Sequence, residues 1–344
     1  MDIILRKVYN FFCMKKSIRH LKNSLCAMIF CATLCACSPT ESAPLHIDQY
    51  VSSVSDTAPF LITGLSGGEK VDYVISSYPV IFAAMNNPNR KTNLSIYENV
   101  GASFGAAFSF HGFPQAGLFV KEEIVETLPA SLFLQEIGLA LNDLVLGTKN
   151  AVSYMNSYSE DANLQQARFG FASPALEGSQ ENNGLAFLKE DNQPSQEELF
   201  AVSKKLGISL EKTDLSSFYS YGVHVDDAVF DSSSIKVVCP LGAPSALLAK
   251  YASDLDHFTI TSPANVQSAF QKEEADFIIF DSVNGAKLAK ANGGKYKLVR
   301  MLTYGNLYVM STGNDENGVM EEEDFILSYG EGLIPDLAFK ALHQ

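Results

Sequence analysis

The most regular hydrophobic pattern lies in the last third of the chain. Short apolar runs at 235–239, 257–261, 276–280 and 297–304 alternate with stretches of helical period at 245–252, 264–272 and 284–291. Apolar runs of this length, bounded by turn residues, predict buried strands, and their alternation with helices predicts a parallel sheet covered on both faces. The stretch 234–253, SIKVVCPLGAPSALLAKYAS, shows the unit most clearly. A β-branched strand runs through a Pro-Leu-Gly-Ala-Pro turn into a helix over 245–251. Further strands are predicted at 307–310 and 325–328 and a helix at 335–342, with an acidic turn over 312–324 between them.

Upstream the pattern is looser. Strands are predicted at 47–51, 71–76, 94–100 and 116–120. Helices are predicted at 55–63, at 79–85 with Pro79 in the first turn, at 131–146, 162–168 and 195–206. The Gly- and Phe-rich stretch 101–112 has no clear period, and 207–234 carries Ser, Tyr and Asp without periodicity and reads as a linker. The whole is an α/β chain.

Composition adds a compartment. The chain has 344 residues, 47% of them apolar, with no Trp. Six of its 25 basic residues and one of its 39 acidic residues precede Cys37, which leaves 19 against 38 and a net charge of −19 beyond it. Such a surface repels nucleic acid and anionic headgroups, so neither is an expected partner. The stretch from Met14 to Lys22 is basic, 25–36 is apolar but short for a span, and Leu34-Cys35-Ala36-Cys37-Ser38 follows. This three-part pattern, with Leu and Ala placed three and one residues before the cysteine, resembles a bacterial lipobox. The resemblance implies processing and lipidation at Cys37, a polar tether over 38–46 and an extracytoplasmic protein anchored to the cell membrane, or to an outer membrane where the cell has one. Met14 reads as the start of the leader. Of six cysteines only Cys37 and Cys239 lie beyond such a leader, and Cys239 reads as a buried apolar filler.

Several motifs mimic chemistry. Gly64-Leu-Ser66-Gly-Gly68 and Gly101-Ala-Ser103-Phe-Gly105 have the G-x-S-x-G spacing of a hydrolase elbow, which requires a strand before the serine and a helix after it. Neither context is predicted. A Ca²⁺ loop around Asn314–Gly318 places Gly313 where the first ligand should be an acid. The histidines have no metal-ligand spacing, so no metal and no cofactor is expected.

The segments KVVCPLGAP (236–244), ADFIIFDS (275–282), TYGNLYV (303–309), KVDYVISSYP (70–79) and FPQAGLFV (113–120) together resemble the substrate-binding lipoproteins of ABC importers. The most similar group includes binders of nitrate, sulfonate, taurine and thiamine precursors. The order differs from that family, because 235–344 matches its first half and 46–207 its second. The chain therefore resembles a circular permutant, which requires the strands at 47–51 and 325–328 to share one sheet and His46 to lie near Gln344. The resemblance implies a two-lobed, periplasmic-binding-protein-like type II fold, each lobe a mostly parallel sheet flanked by helices, with a ligand cleft between. Lobe two would comprise 47–118 with 306–344, and lobe one 119–305.

Ligand groups would then come from strand-end loops. These are Leu241, Gly242, Ala243, Pro244, Ser262, Asn265, Asp281 and Ser282 in lobe one. Tyr304, Gly305 and Asn306 lie at the crossing, and Glu331, Ser53, Ser55, Ser77 and Tyr78 in lobe two. Each is also an ordinary cap or turn former. The set holds no Arg or Lys, which disfavours a carboxylate or sulfonate gripped by a bidentate Arg. It favours a neutral or aminated heterocycle stacked on Tyr, with Glu331 facing an amino group, or a small anion on helix N-termini. The expected function is delivery of a small molecule to an ABC-importer permease by hinge closure, without catalysis. The alternatives are a lipid-anchored serine hydrolase using Ser66 or Ser103 and a surface lipoprotein that binds another protein.

Overall fold

A computed structural model describes residues 44–179, 185–188, 192–208, 229–315 and 318–344. The leader, Cys37 and most of the 207–234 linker lie outside the described residues. In chain order the elements begin with strand β1 (Gln49–Val51), helix α1 (Ala58–Thr63) entered through a 3₁₀ turn, the hairpin β2 (Leu65–Ser66) and β3 (Glu69–Lys70), β4 (Tyr73–Ser76) and α2 (Tyr78–Met85). Next come β5 (Ser95–Asn99), α3 (Val100–Phe108), β6 (Pro114–Lys121), α4 (Leu128–Leu146), α5 (Lys149–Tyr158), α6 (Ala162–Phe169), α7 (Ser173–Ser179) and α8 (Gln196–Lys205). The last third holds β7 (Val237–Pro240), a 3₁₀ helix (Ala243–Tyr251), β8 (Phe258–Thr261), α9 (Pro263–Lys272), β9 (Phe277–Asp281) and α10 (Ser282–Ala291). It ends with β10 (Tyr296–Tyr304), β11 (Tyr308–Ser311), β12 (Ile326–Tyr329) and α11 (Ile334–His343).

Two five-stranded sheets organise these elements. The first has the order β1-β12-β4-β11-β5 and the second β10-β6-β9-β7-β8. In the first, β1, β12 and β4 pair in parallel, and β11 runs antiparallel to both β4 and β5. In the second, β8, β7 and β9 pair in parallel, and β6 runs antiparallel to both β9 and β10. Each sheet is therefore mixed, four strands one way and one reversed. The reversed strands correct the expectation of mostly parallel pairing: β6 and β11 each enter from the other sheet, so they arrive pointing the opposite way. The expected division after residue 118 falls inside β6. All of β6 pairs in the second sheet.

Alternate residues of the inner strands feed two different cores. Val74, Leu118, Val237 and Ile279 join one buried cluster, and Tyr73, Ile75, Phe119, Val238 and Ile278 join the other. These inner strands are thus covered on both faces, which is why they read as unbroken apolar runs. Behind the second sheet, Phe133 of α4 packs on Phe277 with ring centres 4.6 Å apart.

The chain ends meet on the first sheet. Leu45 N–H donates to the His343 carbonyl, the Gln344 side chain donates to the Leu45 carbonyl, and β1 lies against β12. Buried Asp336 of α11 accepts from the Tyr50 hydroxyl at 2.6 Å and the Gly332 N–H at 2.8 Å, and it pairs with Lys340.

Three local expectations change. The stretch 101–112 contains α3, capped by the Asn99 side chain, which accepts from Ala102 N–H. The helix expected over 245–251 is a 3₁₀ helix, held at its start by the Ser245 hydroxyl on the Gly242 and Phe169 carbonyls. Helices α5 and α7 had no predicted counterpart.

Candidate functional site

Strand direction places most of the expected ligand residues at or just beyond the carboxyl end of a strand, or on a crossing between sheets. Open α/β sheets bind ligands at such ends. In the second sheet, β7 leads into Leu241–Pro244, β8 into Ser262 and β9 into Ser282. In the first, β12 leads into Glu331, β1 into Ser53 and β4 into Ser77 and Tyr78.

Two segments cross between the sheets, and they touch through bare backbone. The β10–β11 crossing is Gly305-Asn306-Leu307, and the other runs from α3 to β6. A Cβ on Gly101 would lie 2.3 Å from the Gly305 carbonyl oxygen, and one on Gly112 would lie 3.2 Å from the Tyr304 ring. Gly305 sits at φ +90°, where side chains are strained. Asn306 is buried and fastens the crossing. Its Oδ1 accepts from Tyr78 N–H at 3.2 Å, its N–H donates to Gln115 Oε1 at 2.6 Å, and its carbonyl accepts from Gln115 Nε2. Tyr304, also buried, reaches Glu198 of α8, which in turn holds His111.

The α6–α7 pair bridges the two sets of strand ends. Gly242 N–H and the Ser245 hydroxyl both bond the Phe169 carbonyl, and Gly170 leaves no room for a side chain beside Gly242. At the far end, a side chain on Gly178 would strike Phe82 and the Tyr78 hydroxyl. In the turn, Leu241, Gly242 and Ser245 N–H groups are already donated within the protein and the prolines have none. That leaves Ala243 alone, too little for a phosphate cradle. The Leu241 side chain is open to solvent.

The charged residue in this set that faces the other sheet is Asp281. Its Oδ1 accepts from Asn284 N–H at 2.7 Å and caps α10. Burial pushes its carboxyl up to about 6, against the opposing pull of the Asn284 and Val283 N–H groups and the Lys287 charge. Tyr329, at the end of β12 in the first sheet, is raised by burial and then by the Asp281 charge. The ends of β9 and β12 thus lie within electrostatic reach of each other. Beside Asp281, the Ser282 hydroxyl is buried without a hydrogen-bond partner, as is that of Ser328 in β12.

Other expected residues do not join this group. Ser53 is exposed and its hydroxyl donates to Asp56 within a capping box; Ser55 is exposed. Ser262 caps α9, with exposed Asn265 bonded to Thr261. Glu331 is exposed beside Tyr50 rather than opposite the β9 end. Ser66 lies in the β2–β3 hairpin with its hydroxyl on Gln49, and no helix follows it. Ser103 lies in α3 and bonds Glu98, which also accepts from His343; burial raises that carboxyl, but these bonds outweigh it and hold it low. Comparison with known families, curated proteins and solved structures finds no match. Among the described residues no single helix is long and apolar enough to cross a membrane, and no His, Cys, Asp and Glu side chains cluster as metal ligands.

The sequence missed Tyr329, Gln115 and the α6–α7 bridge. Ser173-Pro174 was a legible helix start for α7. Tyr329 had no local signal, since its partner lies 48 residues away in another sheet.

Proposed function

We propose that the protein is a two-lobed solute-binding protein that passes a small molecule to an ABC-importer permease, anchored outside the cytoplasm by lipid on Cys37, and that its chain is a circular permutant of that fold. The observation that carries the reading is the matched topology of the two sheets. Taken with 235–344 first, each sheet has the same order: second strand, first, third, a reversed strand, fourth. These are β8, β7, β9, β6, β10 and β1, β12, β4, β11, β5. In each half the fourth strand leads out to the reversed strand of the other, so two crossings join two equivalent bodies. That arrangement suits a hinge. The pairing of β1 with β12 and the contact of Leu45 with His343 supply the junction a permutant needs.

The ligand sits between the strand ends, against Leu241, Ser77, Tyr78, Asp281, Ser282 and Tyr329. Asp281 takes the role expected of Glu331, accepting from an amino group or a ring N–H. The α10 N-terminus already holds this carboxylate, which disfavours a small anion there. A neutral or aminated heterocycle fits best. Native mass spectrometry of gently purified protein, followed by a thermal-shift screen of small metabolites, tests the reading. We expect a co-purified small molecule whose stabilisation is lost in Asp281→Ala and Tyr78→Ala. A protein that carries none, and that no heterocyclic amine, amide or nucleobase stabilises, would refute it.

A further inference from the structure

We propose that a second site, between α4, α5 and the 3₁₀ helix at 243–251, binds a small organic cation with an apolar body. None of its lining residues belongs to the strand-end group. The cavity encloses about 160 Å³, the size that admits a benzene-like ring. Its floor is apolar and buried: Leu144, Ala151, Ala246 and Leu247.

The rim decides the sign of the ligand. Lys250 supplies its one cation among the described lining residues, and that ammonium is committed to Glu136. The Tyr251 hydroxyl donates to the same Glu136 oxygen at 2.7 Å. Asp143 faces solvent and, among the described residues, takes only a neutral donor, the Asn150 amide at 2.6 Å. The rim therefore carries one uncompensated negative charge. Tyr154 adds an exposed aromatic face. An apolar floor, an unneutralised carboxylate and an open tyrosine ring together select an ammonium carried on a ring or short alkyl body. An anion would meet Asp143 with no free cation to receive it. The cavity is held open by a 108° bend between α4 and α5. The bend is made at Gly147 and Thr148, and Thr148 sits at φ +50°, a region β-branched residues seldom adopt.

The test is a methyl-labelled NMR titration of the whole protein with benzylammonium, benzyl alcohol and benzoate. Saturable shifts are expected at Leu139, Leu144 and Leu247, with benzylammonium bound at least tenfold more tightly than benzoate. Asp143→Asn should weaken benzylammonium about fivefold and leave benzyl alcohol unchanged. Leu139→Arg, at an exposed lining position that tolerates the change, should abolish benzylammonium binding by placing a cation at the mouth. Absence of saturable shifts at these methyls, benzoate binding as well as the amine, unaltered binding in Asp143→Asn, or shifts confined to Leu241 and the strand ends would each overturn the proposal. Failure of the strand-end site would not affect it.

Discussion

Replacing Gly101 by Ala would normally stabilise a helix by about 1 kcal/mol. Here the expected sign is opposite. The new Cβ would stand 2.3 Å from the Gly305 carbonyl oxygen and 2.7 Å from its Cα, both of them backbone. Relief requires the two crossing segments to part by about 1 Å, because neither neighbour can rotate away. Overpacking against immovable atoms costs about 1–3 kcal/mol, occasionally more. At the upper end of that range, less the helix gain, the net loss is about 2 kcal/mol, or roughly 4 °C in Tm for a body of this size. Gly332→Ala is the internal control. It has a positive φ of 71° but open space around it, so it pays only the left-handed backbone penalty of about 1 kcal/mol. Urea denaturation of the two variants gives the comparison, and amide exchange at Asn306 and Tyr78 reports whether the crossing has loosened. If Gly101→Ala gains stability, or loses no more than Gly332→Ala, the backbone contact is not the constraint described here.

Other expectations follow from single groups. Asp281 has a folded pKa of about 6, above the ordinary carboxylate value of about 4; the folded state therefore binds the extra proton in that window, and stability should fall as pH rises from about 4 to about 6. Asp281→Asn, which keeps the cap, should flatten that part of a stability-versus-pH curve, and an unchanged slope would contradict the assignment. Asp336→Ala strips partners from Tyr50, Gly332 and Lys340 and should cost about 3 kcal/mol, whereas Tyr50→Phe loses one bond and should cost about 1 kcal/mol; equal losses in denaturant titrations would count against the network. A chain reopened in the 209–228 stretch, with Gln344 joined to His46 through about five flexible residues, should fold with unaltered far-UV circular dichroism and a cooperative transition. Failure of that rejoined chain to fold would argue against the permuted reading.

The βα units after residue 235 were legible because strands buried on both faces are written as uninterrupted apolar runs, Val237–Cys239 and Phe277–Phe280 among them. Pairing is a different matter. Nothing in 114–121 announces that β6 inserts between β9 and β10, since the partners lie about 160 to 190 residues away and register is set by the assembled core. Helix α3 was hidden by Gly101 and Gly105, which lower helix propensity; space explains both, as a Cβ on either would strike backbone of Gly305 or Phe110. In the candidate site the strand-end positions were readable, but their directions were not. Glu331 follows a strand and Asp281 ends one, yet the first is exposed beside Tyr50 and the second lies within electrostatic reach of Tyr329. Ser262 and Ser53 read equally as ligand groups or helix caps, and the structure shows both engaged in capping.

The pairing scheme also sets a timetable. The early strands β1, β4, β5 and β6 pair only with β9, β10, β11 and β12, all beyond residue 236. Apart from the two-residue β2–β3 hairpin, the described residues of the first two-thirds of the chain close no strand pair of their own. Emerging from the ribosome, it has no sheet to form until the last third follows. Folding must wait for contacts of very long sequence separation, which are slow to form and leave edges open meanwhile. A chain that cannot fold early is also a chain that can still be threaded, extended, through a narrow pore before it becomes a protein.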